Sequence, residues 1–392
     1  MNKCDIGGGW ITSDFSYSKN EVVGFSKAGK EKVKTNKNLI IPDHYYDGFN
    51  PDSSNRVEVK SIGPIAFKLW ELDSVVIPEG IEEIKGSAFE NCKIKEIKFP
   101  KSLETIGKQA FIGNMLENVD FPDGLIVIDK SAFAGNSIEK LSLPDSLIVL
   151  GKKSFLGNNL LEISLPKTLT EIQDDVFCNN KIKSVTLHEG VRAIGKSAFY
   201  QNEIEKIEFP STLKKIESHA FADNDLKSIS LPEGLEIIGE YAFAQNWLKE
   251  VNIPHKINVI AQGIFKFNPI KKLKIPGNVK TIEYDAFFEN EIESLELEHG
   301  IEEIKSYAFF DNEIENLFIP DSVSVIGTRA FHGNNIENLS ISGNLEIIKE
   351  GTFSENPIRC LSLGGKIDKI EGNAFPNTKA VEKELLRNAV EN

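Results

Sequence analysis

The side chains best suited to acid–base or metal chemistry are few and scattered along the chain. The six histidines are His44, His188, His219, His255, His299 and His332. The sequence contains no H-E-x-x-H helix motif, no G-x-S-x-G nucleophile elbow and no Walker-type phosphate loop. The acids at Asp311, Glu313 and Glu315 lie in connecting segments, where a solvated surface explains them better than acid–base catalysis. We therefore predict a protein that is not an enzyme and that binds no cofactor.

The remaining metal-binding residue types give little support for a metal site. The four cysteines are Cys4, Cys92, Cys178 and Cys360, and they form neither a CxxC pair nor a zinc-binding spacing. Calcium at the acidic turns around Asp223 and Asp225 is a weaker alternative. Their spacing matches neither an EF-hand nor a Gly-Asp-rich calcium solenoid. The sequence thus predicts no metal ion.

Charge and hydropathy exclude further classes of protein. The 392 residues carry a formal net charge of −14, which argues against nucleic acid because binding depends on neutralising phosphates with Lys and Arg. No apolar run approaches the roughly 18 residues of a membrane span. The first residues have no apolar signal-peptide core and the last residues show no anchor. Both a cytoplasmic protein and a trimmed export product are compatible with this pattern.

The strongest feature of the sequence is a phenylalanine that recurs at a constant interval of 22 residues. It stands at Phe67, Phe89, Phe111, Phe133, Phe155, Phe177, Phe199, Phe221, Phe243, Phe265, Phe287, Phe309, Phe331, Phe353 and Phe375. A fixed period of this length indicates a solenoid, in which one repeat cannot bury its apolar face and stacking many repeats makes a continuous core.

An asparagine follows most of these phenylalanines three residues later. Its positions are Asn114, Asn136, Asn158, Asn180, Asn202, Asn224, Asn246, Asn268, Asn290, Asn312, Asn334 and Asn356. A short amide both donates and accepts hydrogen bonds, so it can pair backbone groups that a tight turn leaves unpaired. We predict that these residues form a structural asparagine ladder.

The rest of each repeat predicts short strands and turns. An I-x-L-P segment alternates apolar and polar residues, which is typical of a strand with one buried face, and proline then ends it. A second apolar pair, such as Leu103 and Ile106, predicts a turn or a short strand. The S-A-F segment is too short for a long helix and predicts a helical or 3-10 turn on the outer side, where the Phe ring would fill the gap between coils.

The repeat unit N-x-L-x-x-I-x-L-P … I-G-x-x-A-F resembles the BspA-like class of leucine-rich repeats, and residues 59 to 375 match it closely. The predicted fold is a right-handed leucine-rich repeat superhelix of fifteen 22-residue repeats with a concave parallel sheet. Members of this class are mostly bacterial surface or secreted proteins, with adhesive or host-interaction roles known for a few. The resemblance implies a cell-surface or secreted location and a protein or glycan partner, such as a host or matrix component.

The repeat boundaries predict three segments. Residues 1–58, which contain W10-I-T-S-D-F-S-Y17 and a repeat-like L39-I-I-P42, are expected to form an N-terminal cap of one or two hairpins. A loop from about Asp43 to Arg56 precedes the repeats. Residues 59–378 form the solenoid, and residues 379–392 form a C-terminal capping helix, since solenoid ends need polar covers. We expect a monomer.

Residues that vary within the strict repeat are the candidates for ligand binding. The outward positions of the predicted strand lie seven and nine residues after each Phe, and most of them are polar. Phe318 places an apolar ring among them, as a binding hot spot would, although an isolated exposed ring or cover from a C-terminal neighbour is the simpler interpretation. Trp247 is a second exposed aromatic. The full candidate set is Phe318, Trp247, Lys272, Lys274, Glu296, Asn252 and Glu250, in which Lys272 and Lys274 form a small basic spot.

Two functions are compatible with this pattern. The first is a non-catalytic, adhesin-like module that binds a protein or glycan through the concave and adjacent faces. The second is a structural spacer or scaffold arm of a larger surface protein. Saturable binding that depends on Phe318 or Trp247 would separate the two.

Overall fold

The computed structural model describes residues 5–47, 56–343, 345–376 and 379–391. Cys4 and most of the loop predicted between Asp43 and Arg56 lie outside these residues. The chain forms a parallel-strand solenoid of about 14 turns with many strands and little helix. The predicted repeat solenoid is therefore confirmed.

The turns divide between two compact units. The first comprises Met1–Gly190 with Gln201–Glu203, and the second comprises Val191–Tyr200 with Ile204–Asn392. Most repeats contribute two strands. The strands from the I-x-L-P segments form row 1, and the strands that end near the I-G steps form row 2. Paired strands join residues 22 positions apart, as in Phe318 with Ser340.

Among its described residues, the first unit contains nineteen strands, a 3-10 helix at Thr12–Asp14 and helix α1 (Lys27–Lys32). The strands are β1 (Asp5–Gly7), β2 (Trp10–Ile11), β3 (Phe15–Ser18), β4 (Glu21–Phe25), β5 (Asn38–Ile40), β6 (His44–Tyr46), β7 (Arg56–Glu58), β8 (Ser61–Ile62), β9 (Ser74–Val76), β10 (Glu83–Ile84), β11 (Glu96–Lys98), β12 (Thr105–Ile106), β13 (Asn118–Val119), β14 (Val127–Ile128), β15 (Lys140–Leu141), β16 (Val149–Leu150), β17 (Glu162–Ser164), β18 (Glu171–Ile172) and β19 (Ser184–Thr186). Row 1 pairs as β5–β9–β11, β13–β15 and β17–β19, and row 2 pairs as β4–β8–β10–β12–β14–β16.

In the part of the second unit that the structure describes, there are fourteen strands and helix α2 (Lys379–Glu391). The strands are β20 (Ala193–Ile194), β21 (Lys206–Ile207), β22 (Lys215–Ile216), β23 (Ile237–Ile238), β24 (Val259–Ile260), β25 (Lys272–Ile275), β26 (Thr281–Ile282), β27 (Ser294–Leu297), β28 (Glu303–Ile304), β29 (Asn316–Ile319), β30 (Val325–Ile326), β31 (Asn338–Ile341), β32 (Ile347–Ile348) and β33 (Cys360–Leu363). Row 1 pairs as β25–β27 and β29–β31–β33, and row 2 pairs as β20–β22–β23 and β24–β26–β28–β30–β32.

Among the described residues before Phe67, three strand pairs are antiparallel. They are β1–β2, β3–β4 and β6–β7. Strand β4 also pairs in parallel with β8, so row 2 continues into this segment. The ring of Phe25 lies 4.8 Å from that of Phe67, which extends the aromatic core in the same direction. The boundary of a cap at residue 58 stays a prediction.

The S-A-F segment forms hydrogen-bonded turns that do not continue as a helix. In one repeat the amide of Ala88 donates to the carbonyl of Lys85 (3.2 Å), which is the i→i+3 bond expected of a 3-10 turn. The residues two before and two after the phenylalanine are left-handed, as at Ser87 and Asn91 with φ of 56°. Left-handed residues cannot extend a right-handed helix, so each turn ends after a few residues.

Stacked phenylalanine rings form the core of each unit. Neighbouring ring centroids lie 5.2–6.3 Å apart from Phe67 to Phe177 in the first unit. They lie 5.1–5.8 Å apart from Phe199 to Phe375 in the second. The rings therefore fill the space between successive coils, as the sequence predicts.

Candidate functional site

The twelve asparagines of the repeat lie in the interior, with side chains only 3–8% exposed. Asn224 illustrates their contacts. Its Nδ2 donates to the carbonyls of Phe221 (3.2 Å) and Phe199 (2.9 Å), and its Oδ1 accepts the amide of Ile204 (3.1 Å). One side chain thereby links its own turn to the preceding one and pairs backbone groups that water cannot reach.

Two positions of this column depart from the pattern. Asn290 is the only described member whose Oδ1 has no hydrogen-bond partner. Cys92 occupies the column three residues after Phe89, and its thiol donates to the carbonyl of Phe67 (2.9 Å) as an Asn amide would. Burial raises the pKa of the Cys92 thiol to about 12, so this cysteine is a structural donor and not a nucleophile.

Phe318 lies on β29 with 54% of its surface exposed. The outward side chains of β29, β31 and β33 surround it, and together they line a shallow depression of about 390 Å³. We call the outward residues Asn316, Phe318, Asn338, Ser340 and Ser362 the Phe318 face. The amide of Asn338 donates to Oδ1 of Asn316 (2.7 Å), so two of the polar groups beside the ring hold each other in place.

The charged candidates form a row beside the Phe318 face. The Nζ of Lys274 lies 2.8 Å from Glu296 and 2.7 Å from Glu298. The hydrogen bonds that Lys274 donates to these two carboxylates raise the pKa of Lys274. The charge of Lys274 is therefore largely neutralised, and because Lys272 has no ion pair with any described residue, the remaining positive charge of the predicted basic spot rests on Lys272. Glu250 lies one turn before Lys272, and the backbones of these two residues form an isolated parallel β-bridge.

Asn252 is exposed two residues after Glu250, so it continues the charged row one turn before Lys274. Trp247 lies apart from this row. Trp247 lies in the connecting segment after Phe243 and is 59% exposed. It borders a second depression of about 470 Å³, whereas the Phe318 depression is lined by other residues. The candidates therefore belong to two separate places and not to one convergent site.

We call the second of these the Trp247 depression, and define it by the residues that line it. These include Trp247, Phe267, Asp223, Asp225, Glu289 and Glu291. Phe267 is 40% exposed and has a φ of 59°, at a position where the first repeat carries Leu69 and the others carry Gly, Asn, Gln, Asp or Glu. The candidates from the sequence do not include Phe267, although an aromatic residue at a position that is mostly glycine or polar could have identified it.

Two of the histidines make contacts with acidic side chains of neighbouring turns. His255 and His299 each contact an acid 22 residues away, Glu233 at 2.6 Å and Asp321 at 2.8 Å. Within the described ranges, no three His, Cys, Asp or Glu side chains are arranged to hold a metal ion. Among the helices of the described chain, none combines the length and apolar character that a membrane crossing needs.

Comparison with known families gives one extended match. A family model described as a BspA type leucine rich repeat region, with six copies, matches residues 53–161, 148–271 and 260–382. No curated protein sequence matches the chain.

Several solved structures are similar to this one. A leucine-rich repeat protein from Bacteroides ovatus gives a TM-score of 0.61 at 21% sequence identity, over 94% of this chain and 91% of that chain. The pneumococcal vaccine antigen PcpA gives 0.48 at 19% identity, over 95% of this chain and 93% of that chain. A leucine-rich repeat protein from Eubacterium ventriosum gives 0.47 at 17% identity, over 76% and 89% respectively. The first of these matches shows a shared fold.

Proposed function

The chain belongs to the BspA-type leucine-rich repeat family, and we propose that it is a non-catalytic binding module that recognises a protein or glycan through the Phe318 face. Proteins of this family are typically surface-associated, and the fold is generally non-enzymatic. We therefore propose an extracellular or cell-surface partner, such as a host or matrix component, for an adhesin-like role. Fold alone names no ligand, so the proposal rests on the Phe318 face itself.

The observation that carries the proposal is the exposed ring of Phe318 in a column of polar residues. Its neighbours at the same position in adjacent repeats are Glu296 and Ser340. An exposed aromatic ring loses unfavourable contact with water when a partner covers it, and central aromatic anchors supply much of the energy of many interfaces. Phe318 is thus suited to be the anchor of a small interface.

The polar surroundings suit either of two partner types. Amides at Asn316 and Asn338 and hydroxyls at Ser340 and Ser362 both donate and accept hydrogen bonds. A sugar can stack its apolar face on a ring and pair its hydroxyls with such groups. A protein loop can use the same arrangement with its backbone.

The Phe318 face is held rigidly before a partner arrives. Strands β29, β31 and β33 form a continuous parallel ladder in which Phe318 is paired with Ser340. Beneath it, Leu317 and Leu339 are each 2% exposed, so the backbone is fixed by its buried side. Little conformational entropy is then lost on binding.

The test is binding of the purified chain to an array of matrix proteins, host-cell surfaces and glycans, with Phe318→Ser as the variant. The matched control is Val76→Ser, because Val76 occupies the same column in the first unit and is 37% exposed. We expect saturable binding by the native chain, a loss of at least about tenfold in Phe318→Ser, and little change in Val76→Ser. Both variants should keep the native melting temperature, since neither side chain is in the core.

Binding that persists in Phe318→Ser would refute this face as the site. A blank array from well-folded protein would instead favour the structural spacer, the second function that the sequence allows.

A further inference from the structure

We infer that the Trp247 depression binds a cationic side chain, an arginine or a lysine, from a basic segment of a protein partner. The depression lies in the second unit, among the connecting segments that follow the repeat phenylalanines. It shares no lining residue with the Phe318 depression. The inference therefore stands apart from the function proposed above and can fail or succeed separately.

The charge of the depression is the first argument. All four ionisable residues in its lining are acids, namely Asp223, Asp225, Glu289 and Glu291. Of these, only Glu291 has an ion pair among the described residues, with Lys271 at 3.8 Å. Three carboxylates without an ion-pair partner around one concave surface produce a local negative potential that attracts a cation and repels an anion.

The aromatic rings are the second argument. Trp247 and Phe267 are both exposed at the edges of the depression, and the faces of aromatic rings attract ammonium and guanidinium groups. A cation already uses rings at this place, since Nζ of Lys266 lies 4.0 Å from the ring centroid of Phe288 and 5.0 Å from that of Phe267. Trp247 has no such partner among the described residues, and tryptophan is the ring that binds cations best.

The hydrogen-bonding groups of the lining are the third argument. Gln245 lines the depression and is exposed, so its amide oxygen is an acceptor that a partner can reach. Four carboxylates and this amide oxygen make the lining rich in acceptors, and a guanidinium carries five N–H donors and no acceptor. Because the described acids are not arranged as a metal-ligand cluster, this chemistry favours an organic cation over calcium.

The test measures binding of a fluorescein-labelled octa-arginine peptide by fluorescence anisotropy, with a neutral Gly-Ser peptide as the comparison. One variant is Trp247→Ala, which removes a ring. A second combines Asp223→Asn, Asp225→Asn and Glu289→Gln, which removes three charges. We expect Trp247→Ala to weaken binding about two- to thirtyfold and the triple variant to weaken it roughly tenfold or more.

Matched controls separate this site from general attraction between a basic peptide and an acidic protein. Met115→Ala removes a 48% exposed side chain from the position equivalent to Trp247 in the first unit. A control triple, Glu117→Gln with Asp120→Asn and Asp123→Asn, makes the same charge change at exposed acids of that unit. Both controls should change the dissociation constant by less than about twofold.

Each outcome decides the inference. Selective weakening by the two site variants supports it, as does unchanged binding in Phe318→Ser. Equal weakening by the site and control triples would attribute binding to net charge and overturn it. A rise in melting temperature on adding calcium, seen in the native chain and absent from the site triple, would reassign the acids to a metal site.

Discussion

At the scale of single residues, an asparagine side chain such as that of Asn224 pairs three backbone groups that would otherwise be buried and unpaired. The side chain is short enough to fit beside the phenylalanine stack and has both a donor and an acceptor end. Burial without a partner costs about 1–3 kcal/mol for a polar group, whereas a satisfied one costs little. We therefore expect the asparagine column to stabilise the fold. The contribution of each asparagine to the free energy of unfolding should depend on how many hydrogen-bond partners it has.

Replacing Asn224 by leucine tests this dependence. Leucine has a similar size but no polar atoms, so the carbonyls of Phe199 and Phe221 and the amide of Ile204 lose their partner. We expect the free energy of unfolding to fall by about 1–3 kcal/mol, measured by thermal and urea unfolding followed by circular dichroism.

The matched control for this substitution is Asn290→Leu. Asn290 lies in the same column but its Oδ1 accepts no hydrogen bond within the described chain, so fewer contacts are lost. The smaller loss should therefore occur at Asn290. Equal effects at both positions would mean that the hydrogen bonds of the column contribute little, and that packing alone accounts for its regularity.

At the scale of elements, the residue before each phenylalanine varies in size. It is alanine in most repeats, serine at Ser154 and threonine at Thr352, and it is larger at Val176 and Ile264. The rings of Phe155 and Phe177 are 6.3 Å apart, against 5.2–5.5 Å for the four preceding pairs. Within the described chain, row 2 is also interrupted before each of these two residues, between β16 and β18 and between β23 and β24. We propose that a branched side chain in a space sized for a methyl group separates the coils. The effect on ring spacing is clear at Val176, whereas the rings of Phe243 and Phe265 beside Ile264 are 5.8 Å apart, close to the 5.7 Å of the pairs on either side.

Ala220→Val should reproduce this effect in a regular part of the second unit. Ala220 is fully buried between Phe199 and Phe221, whose rings are 5.3 Å apart. Two added methyl groups have no free space there, so we expect a loss of about 1–3 kcal/mol of stability in urea unfolding.

Val176→Ile is the control for overpacking. It adds one methylene where the coils are already separated, and it should cost less than Ala220→Val. If Ala220→Val left stability unchanged, the small residue would not be what determines the spacing.

The sequence predicts a structural element best where a regular spacing of one side-chain type is enough to identify it. The period of 22 residues located the phenylalanine stack and the row 1 strands, because alternation in the I-x-L-P segment is a strand signal. The row 2 strands are only two residues long, and their apolar residues are spaced by three, so the pattern left a turn and a short strand as equal alternatives. The left-handed φ of Phe267 belongs to its position in the repeat, where Gly and Asn are frequent. Its place in the same depression as Trp247 depends on how neighbouring turns stack, and no local pattern specifies that.

At the scale of the whole molecule, parallel stacking leaves edge strands that must be covered. An uncovered edge presents unpaired amides and carbonyls to other chains and promotes association. In the second unit, helix α2 packs on β33, and the amide of Leu363 donates to the carboxylate of Glu384 (3.3 Å). We propose that α2 closes this edge and that the covered edge is what keeps the protein monomeric.

Removing residues 379–391 should therefore cause concentration-dependent association, because β33 would expose its free side to a second copy. Light scattering coupled to size-exclusion chromatography would measure it, and the intact chain should remain a monomer over the same concentrations. Glu384→Ala should show a weaker form of the defect, since it loses only the cap on Leu363. Lys383→Ala, an exposed neighbour on the same helix, should have no effect. A shortened chain that stays monomeric at every concentration would show that β33 needs no cover, and solubility would then be explained by the net charge of −14 and the repulsion it produces between copies.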